Sequence, residues 1–511
     1  MSESYSILSE SLHASRSEQP YRTAFHFQPP QNWMNGSPVS TCGIQRRNGM
    51  DHGSEPLALL FRFRHNPPGN KPVILYTGID SQHRQVKNLA VPKNLSDPYL
   101  REWDKHTANP VIDVPEGIQP GDFRDPTTAW LSDDGKWRTI IGSQKDKAGI
   151  AFLYRSAEFV NWTRHESPLH EVAGTGIWEC PDFFPVMVDG TNGVDTSIMS
   201  PTVKHVLKVG LYDYGKDYYM IGYYNSEIEK YVPQNELTLS TLRLDYGKYY
   251  ASKSFFDPVK NRRILMAWVN ESDSEADAIA KGWSGLQSFP RSIWLDRNQK
   301  QLVQWPIEEI EMLHENEVSL QNKNLEGGSL HEIQGITACQ ADVKISFKLT
   351  NLEEAENLDP SGIDPQLLCS EMGASTNGKF GPFGLLALAS NDLTEQTAIF
   401  FRVFQNNGRY FVLMCSDQSW SSTRNGLDKT TFSAFVDIDP QQDEISLRCL
   451  ITRSLRALEE GCITARVYPT LAIVEQAKLF AFNNGTESVV ISELRAWSVK
   501  KARINIEETV V

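Results

Sequence analysis

Three short stretches of this chain put carboxylates and polar groups at spacings that could do chemistry. "GDFRDPTTAW" holds Arg124-Asp125-Pro126, and "GIWECPDFFPV" sets Glu179 between Trp178 and Cys180, with Asp182 just beyond. "NWMNG" carries Trp33 and Asn35. Glycosidic cleavage needs one carboxylic acid to protonate the leaving oxygen and a carboxylate on the other side of the sugar ring. A third carboxylate can hold sugar hydroxyls, and an adjacent arginine can orient it and balance its charge. Glu179, in aromatic and apolar surroundings, suits an acid with a raised pKa. Structural readings stand beside these. Arg-Asp-Pro is a common turn, and a salt bridge would account for Glu179 equally well. Trp33 and Trp283 fit a core better than a sugar platform. The histidines show no metal-ligand spacing, and neither an HExxH motif nor a phosphate loop is present, so no metal and no cofactor is expected.

The elements that must position these residues are strands. From Tyr21 to Pro306 short apolar runs such as "KPVILYTGID", "VKHVLKVGLYD" and "RRILMAWVN" follow one another without helical periodicity, which predicts a propeller or a sandwich. No clean blade repeat is visible. The charged stretch "PIEEIEMLHENEVSLQNKNLEGG" reads as a linker over 307–328, its first half suited to a short helix. Strands with better alternation, such as "ADVKISFKL" and "RYFVLMCSD", then predict a two-sheet sandwich over 329–511. Residues 1–20 are polar and read as a disordered tail.

Bulk properties narrow the function. At 511 residues the chain should form more than one domain, and a formal charge of −14 argues against a nucleic-acid partner. No apolar run approaches the roughly 18 residues of a membrane span. The first residues lack the basic start and apolar core of a signal peptide. Asn94, Asn161, Asn270 and Asn484 head glycosylation sequons, a pattern that also arises by chance. Seven cysteines without CxxC pairing fit neither a disulfide scaffold nor a zinc site.

The order of the pieces carries more than any one of them. "HFQPPQNWMN", then "FRDP", then "WECPDFFPV", then "KGWSGLQSFPR" and "QWPIEEIE" resembles the plant acid invertases and fructan exohydrolases of glycoside hydrolase family 32. The proline in "WECPDF" is similar to the cell-wall branch. The resemblance implies an all-β fold, a five-bladed β-propeller followed by a β-sandwich, spanning 21–306 and 329–511. It implies retaining cleavage of terminal β-D-fructofuranosyl residues from sucrose or a fructan oligosaccharide. In that scheme Glu179 is the acid/base, and Asp125 with Arg124 binds the fructosyl hydroxyls. Gln28, Trp33 and Asn35 would line the fructose pocket. The resemblance further implies a Cys415–Cys462 disulfide, an oxidising compartment, the cell wall or apoplast as location, and cell-wall polysaccharide as a further partner.

The chain departs from that pattern at one decisive place. The family reads Trp-Met-Asn-Asp-Pro-Asn-Gly, with Asp as nucleophile. Here Asn35 is followed by Gly36-Ser37-Pro38, so the nucleophile is absent and turnover should be weak or nil. Glycine has no side chain, Ser37 has no evident base, and Asp51 could substitute only about 5–5.5 Å from Glu179. A few dozen residues of the first blade are also missing before Phe61. Phe61 to Pro68, read one base later with a suitable codon choice, gives Ser-Gly-Ser-Ala-Thr-Ile-Leu-Pro, the family text. Thr452 to Glu459 behaves similarly when read one base earlier. Residues around 42–68 and 452–460 are therefore expected to be translated in a shifted frame, from a degenerate gene, unusual splicing or misannotation. Besides a weak fructosidase, a non-catalytic fructoside-binding protein and a chain that does not fold stably fit these features. "GLYDYGKDYY", with Asp213 and Lys216, lies where a substrate rim would be, but a strand-end charge pair explains it better.

Overall fold

The computed structural model describes residues 72–97, 100–238, 242–452 and 461–501, with Thr23, His26 and Gln28 and the backbone of 32–33 and 454–458. The 1–20 tail, the Trp33 side chain, Asn35, Gly36, Ser37, Asp51, the 42–68 segment and most of 452–460 lie outside the described residues.

Four antiparallel sheets of three or more strands follow one another in chain order up to Pro306. The first joins Ile74–Ile79, Gln85–Pro92 and Trp103–Lys105; the second is built on Trp137–Lys145 and Ala148–Ser156. The third runs Trp178–Met187, Val203–Leu211, Lys216–Asn225, Lys230–Pro233, and the fourth centres on Tyr249–Asp257 and Arg262–Val269.

The third sheet shows why the sequence lacks alternation here. Phe183, Leu207, Tyr218 and Met220 pack into one core with Trp130 and Leu153 of the second sheet. Their chain neighbours Phe184, Val206, Tyr219 and Ile221 pack on the opposite face with Tyr249 and Leu265 of the fourth. Successive side chains of a strand point to opposite faces, and both faces are covered, so all nine residues of Val203–Leu211 are buried. Burying each large apolar side chain fully is worth about 1.5–3 kcal/mol. Sheets stacked face to face in this way are the blades of a β-propeller. Four lie among the described residues, one fewer than the five expected.

The rest is a β-sandwich. A six-stranded sheet has the order His314–Leu325, Val489–Val499, Ala341–Leu349, Ile445–Ile451, Ser454–Leu458, Cys462–Arg466. A seven-stranded sheet centres on Phe380–Ala389, Thr397–Asn406 and Arg409–Asp417. The chain divides into two compact units, and Glu271–Ser284 belongs with the sandwich unit although it interrupts the propeller sequence. Glu271 there accepts from Arg466 Nε at 2.8 Å.

Two expectations need correction. Residues 307–328 are no linker: Glu308–Leu313 forms a 3-10 turn, and His314–Leu325 is the edge strand of the six-stranded sheet. An edge strand exposed on most of its length can be polar nearly throughout, which is how it mimics a linker. The disulfide joins Cys369 to Cys415, with Cα atoms 6.1 Å apart, and excludes Cys462. Cys369 sits on helix Pro365–Met372, packed against the strand of Cys415. Cys462 is buried on the other sheet of the sandwich.

Candidate active site

Glu179 stands at the start of strand Trp178–Met187, where the ladder slips between Glu179 and Asp182. Its neighbour Trp178 is fully buried and donates its indole N–H to Thr175 Oγ1 at 2.9 Å. Gly149 is required beneath that ring, since a Cβ there would lie 2.0 Å from Trp178 Nε1. The anchored tryptophan fixes the backbone from which Glu179 projects. The residue after it, Cys180, has φ +44°, and the bulge re-aims the side chain at that point.

Two donors hold the Glu179 carboxylate. Arg124 Nη1 donates to Oε1 at 2.7 Å, and the Tyr250 hydroxyl donates to Oε2 at 2.5 Å. The Glu179 side chain keeps only 14% of its surface exposed. Burial pushes its carboxyl above the ordinary glutamate value and the negative charge of Asp125 adds to this; Tyr250 and then Arg124 pull it partly back. Arg124 also donates to the Gly121 carbonyl and lies 5.6 Å from the Tyr212 ring centroid. Its Nε is buried without a hydrogen-bond partner among the described residues.

Asp125 is tied to the same corner by its other contacts. Its Oδ2 accepts from the Cys180 amide at 2.9 Å, and its own amide donates to Thr77 Oγ1 at 2.8 Å. It has φ +61°, as Ala251, beside Tyr250, has φ +54°. Three non-glycine residues in the left-handed region at one corner store about 1–3 kcal/mol each. Buried lysines hold the strained strands together. Lys208 Nζ donates to the carbonyls of Cys180 at 2.7 Å and Ser252 at 2.5 Å, and Lys253 Nζ to Pro181 at 2.5 Å. Lys87 Nζ reaches the Phe123 carbonyl at 2.9 Å, and burial holds its ammonium well below the ordinary lysine value. Asp182 bridges to the next sheet, accepting the Ser254 amide at 2.7 Å.

The structure therefore brings Arg124, Asp125 and Glu179 together. Gln28 falls in the other compact unit, where its amide group bonds both ways with the Thr23 backbone. Trp283 is buried. Asn94 and Asn161 are exposed, whereas Asn484 uses its amide to bind the Ala374 carbonyl at 3.1 Å and Asn270 is half-buried. Sequence reasoning missed Tyr250, Thr77 and the lysines. A signal for the lysines exists: "QVKNLAV", "HVLKVGL" and "YASKSFF" each set one lysine in an otherwise strand-like run, where it needs carbonyl partners.

A buried acid with a raised pKa, paired with an arginine and a second carboxylate, can protonate a leaving oxygen and then act as a base. Residues 65–306 match the glycosyl hydrolases family 32 N-terminal domain, and 309–498 match the family 32 C-terminal domain. The chain belongs to glycosyl hydrolase family 32. Among family 32 relatives, a fructan 6-exohydrolase of Beta vulgaris is 50% identical over 535 residues, covering 96% of this chain and 88% of that protein. An insoluble β-fructofuranosidase isoenzyme of Arabidopsis thaliana is 50% identical over 545 residues, covering 95% and 91%. The crystal structure of fructan 1-exohydrolase IIa from Cichorium intybus superposes with a TM-score of 0.89 at 52% identity, over 95% of this chain and 98% of that one. Family 32 relatives at this level of identity are hydrolytic enzymes, and their fold is a β-propeller with a β-sandwich.

Proposed function

We propose that this chain is a β-fructofuranosidase-type hydrolase directed at terminal β-D-fructofuranosyl residues of sucrose or fructans, with turnover weakened by glycine at position 36. The observation that carries the reading is the Glu179 carboxyl, raised by burial and by Asp125 and held by Arg124 and Tyr250. Glu179 donates its proton to the glycosidic oxygen as the bond to the fructosyl carbon breaks, then takes a proton from the incoming water. Asp125 and Arg124 hold fructosyl hydroxyls. Relatives named as fructan exohydrolase and β-fructofuranosidase support the substrate class.

Retention requires a second carboxylate about 5–5.5 Å from the acid. Gly36 supplies none. The match to the Beta vulgaris protein extends over 535 positions, more than the whole of this chain, while covering only 96% of its 511 residues. Dozens of positions of that relative thus face no residue here, which supports a missing segment and the shifted-frame reading. Sequencing the transcript decides it: a message encoding residues 42–68 in frame with their neighbours would confirm this chain, and an intact Asn-Asp-Pro-Asn-Gly message would remove it. Release of fructose from sucrose, inulin and levan tests the activity, and turnover equal to that of the relatives would overturn the weakening.

The intact Arg124, Asp125 and Glu179 also favour a second reading, a fructoside-binding protein without turnover. Calorimetry with sucrose and 1-kestose separates the two, and no binding at millimolar ligand would exclude the second. Relatives named as insoluble and cell-wall isoenzymes support a cell-wall location. No described helix is long and apolar enough to cross a membrane.

A further inference from the structure

The sandwich contains a cavity of about 410 Å³ that the fructoside reading does not use. Its origin is local. Asn407 and Gly408, at φ +52° and +79°, make a two-residue turn that pairs Asn406 with Arg409. Strand Arg409–Asp417 is then laddered along its whole length to Thr397–Asn406 on one side. On the other side its ladder to Phe432–Val436 begins only at Val412. Beyond Val436 the neighbouring chain turns away, because Asp439 accepts the Gln441 amide at 3.1 Å and the Gln442 side-chain amide at 2.9 Å. Residues 409–411 therefore have a neighbour on one side only. At least one of the three points its N–H and C=O into the gap, since these groups alternate along an antiparallel strand.

The side chains around the gap are of two kinds. Tyr410, Phe411 and Phe435 are half-buried and border it, with Phe411 and Phe435 on one face of the sheet and Tyr410 on the other. Arg409 and Asp437 are exposed at its wall, and among the described residues no hydrogen bond or ion pair reaches the side chains of Arg409, Tyr410 or Asp437. Arg409 is held only against the Phe411 ring, 5.4 Å from its centroid. The volume lies within the ~300–1,000 Å³ usual for small-molecule sites. Two carboxylates, Asp437 and Asp439, against one guanidinium disfavour an anion. A purely apolar ligand would strip water from those charges without replacing its hydrogen bonds. A ligand with flat C–H faces and many neutral hydroxyls satisfies both kinds of wall.

We propose that this cavity is a second binding site, for one or two rings of a neutral saccharide, separate from the Glu179 corner. Aromatic faces pack on the ring C–H bonds, while Arg409 donates to hydroxyl oxygens and Asp437 accepts from hydroxyl groups. The proposal stands whether or not the chain turns over fructosides.

Calorimetry of the full chain with 1-kestose, cellohexaose and xylohexaose tests it. Each is titrated into the unaltered protein, Glu179→Gln, Arg409→Ala and Asp437→Ala. The last two positions are exposed, and a cooperative melting curve for each variant establishes that it is folded. The expected result is saturable binding of at least one saccharide that survives Glu179→Gln and weakens about tenfold or more in both cavity variants. No saturable binding of any of the three would overturn the proposal. So would binding that both cavity variants retain unchanged, or binding that Glu179→Gln abolishes.

Discussion

Two glutamates, one in each domain, are withdrawn from water and held in opposite ways. Glu395 of the sandwich is fully buried and accepts from the amides of Thr423, Thr470, Leu471 and Ala472, and from the Thr470 hydroxyl. Despite the cost of burial, these donors hold its carboxyl below the ordinary value. Glu179 of the propeller has two donors, Arg124 and Tyr250, and a neighbouring negative charge, and its carboxyl is raised. Burial alone does not make an acid. What separates the two is whether the pocket supplies enough donors to keep the charge. Glu395 is a locked anion that staples loops, while Glu179 is left able to carry a proton.

On the proposed weakening at position 36, the largest effect should come from exchanging the segment around it. Replacing residues 36–68 with the corresponding segment of the Beta vulgaris exohydrolase should raise fructose release by about 10⁴–10⁶, the usual cost of a lost nucleophile. Gly36→Asp alone should recover less, because the following residues also differ from the family text. If the exchanged and unaltered chains hydrolyse sucrose and inulin at equal rates, position 36 is not what limits this protein. In the restored chain, Glu179→Gln should then lower turnover by about 10²–10⁴, whereas Glu395→Gln should leave the rate per folded molecule unchanged.

Stability should rank the two glutamates the other way. Glu395→Ala strands several buried donors at about 1–3 kcal/mol each, so a loss of at least about 3 kcal/mol is expected in urea unfolding. Glu179→Gln leaves polar contacts possible and removes a costly buried charge, so it should change stability by less than about 1 kcal/mol. The pH dependences have opposite signs. The folded pKa of Glu395 is depressed, so its contribution is present above the unfolded value and lost as pH falls through the folded one. That of Glu179 is raised, so the folded state binds more protons than the unfolded chain between the two values. Stability is therefore lost as pH rises through that window. Glu395→Gln should flatten the acid limb of a melting-temperature profile, and Glu179→Gln should flatten the limb above the ordinary glutamate value. Identical profiles for the two variants would dissolve the distinction.

How much of this was legible in the sequence follows from the same physics. The corner that gathers Arg124, Asp125 and Glu179 was readable because Glu179 sits in "WECPDF" without an adjacent partner, and because the order of Arg124-Asp125 and Glu179 carries the family. Tyr250 was not readable, since a tyrosine in "YYASKSFF" is unremarkable until a bulge aims it. The sandwich announced itself through alternation in strands such as Ala341–Leu349, while Val203–Leu211 in the blades and Phe380–Ala389 in the sandwich hid theirs because both faces are covered. The edge strand His314–Leu325 passed for a linker because solvent lies along most of it. The disulfide partner of Cys415 could not be read from spacing, because pairing depends on which element folds back over the strand. That element is the short helix carrying Cys369.

The finest test concerns the balance that keeps Glu179 protonatable, and its expected effects are the smallest. The Tyr250 hydroxyl donates to the charged carboxylate and so favours ionisation; Tyr250→Phe removes that donor and should move the Glu179 pKa further up. Asp125 acts oppositely, because its negative charge disfavours a second one nearby; Asp125→Asn should move the Glu179 pKa down. Carbon-13 NMR of the labelled glutamate carboxyls, assigned with Glu179→Gln, reads both displacements without requiring turnover. In the restored enzyme the same substitutions should carry the falling limb of the pH–rate profile up for Tyr250→Phe and down for Asp125→Asn. The change at the optimum for Tyr250→Phe should stay within about tenfold, since the acid itself is retained. No displacement in either variant would mean that burial alone sets the proton on Glu179, and that its neighbours only position it.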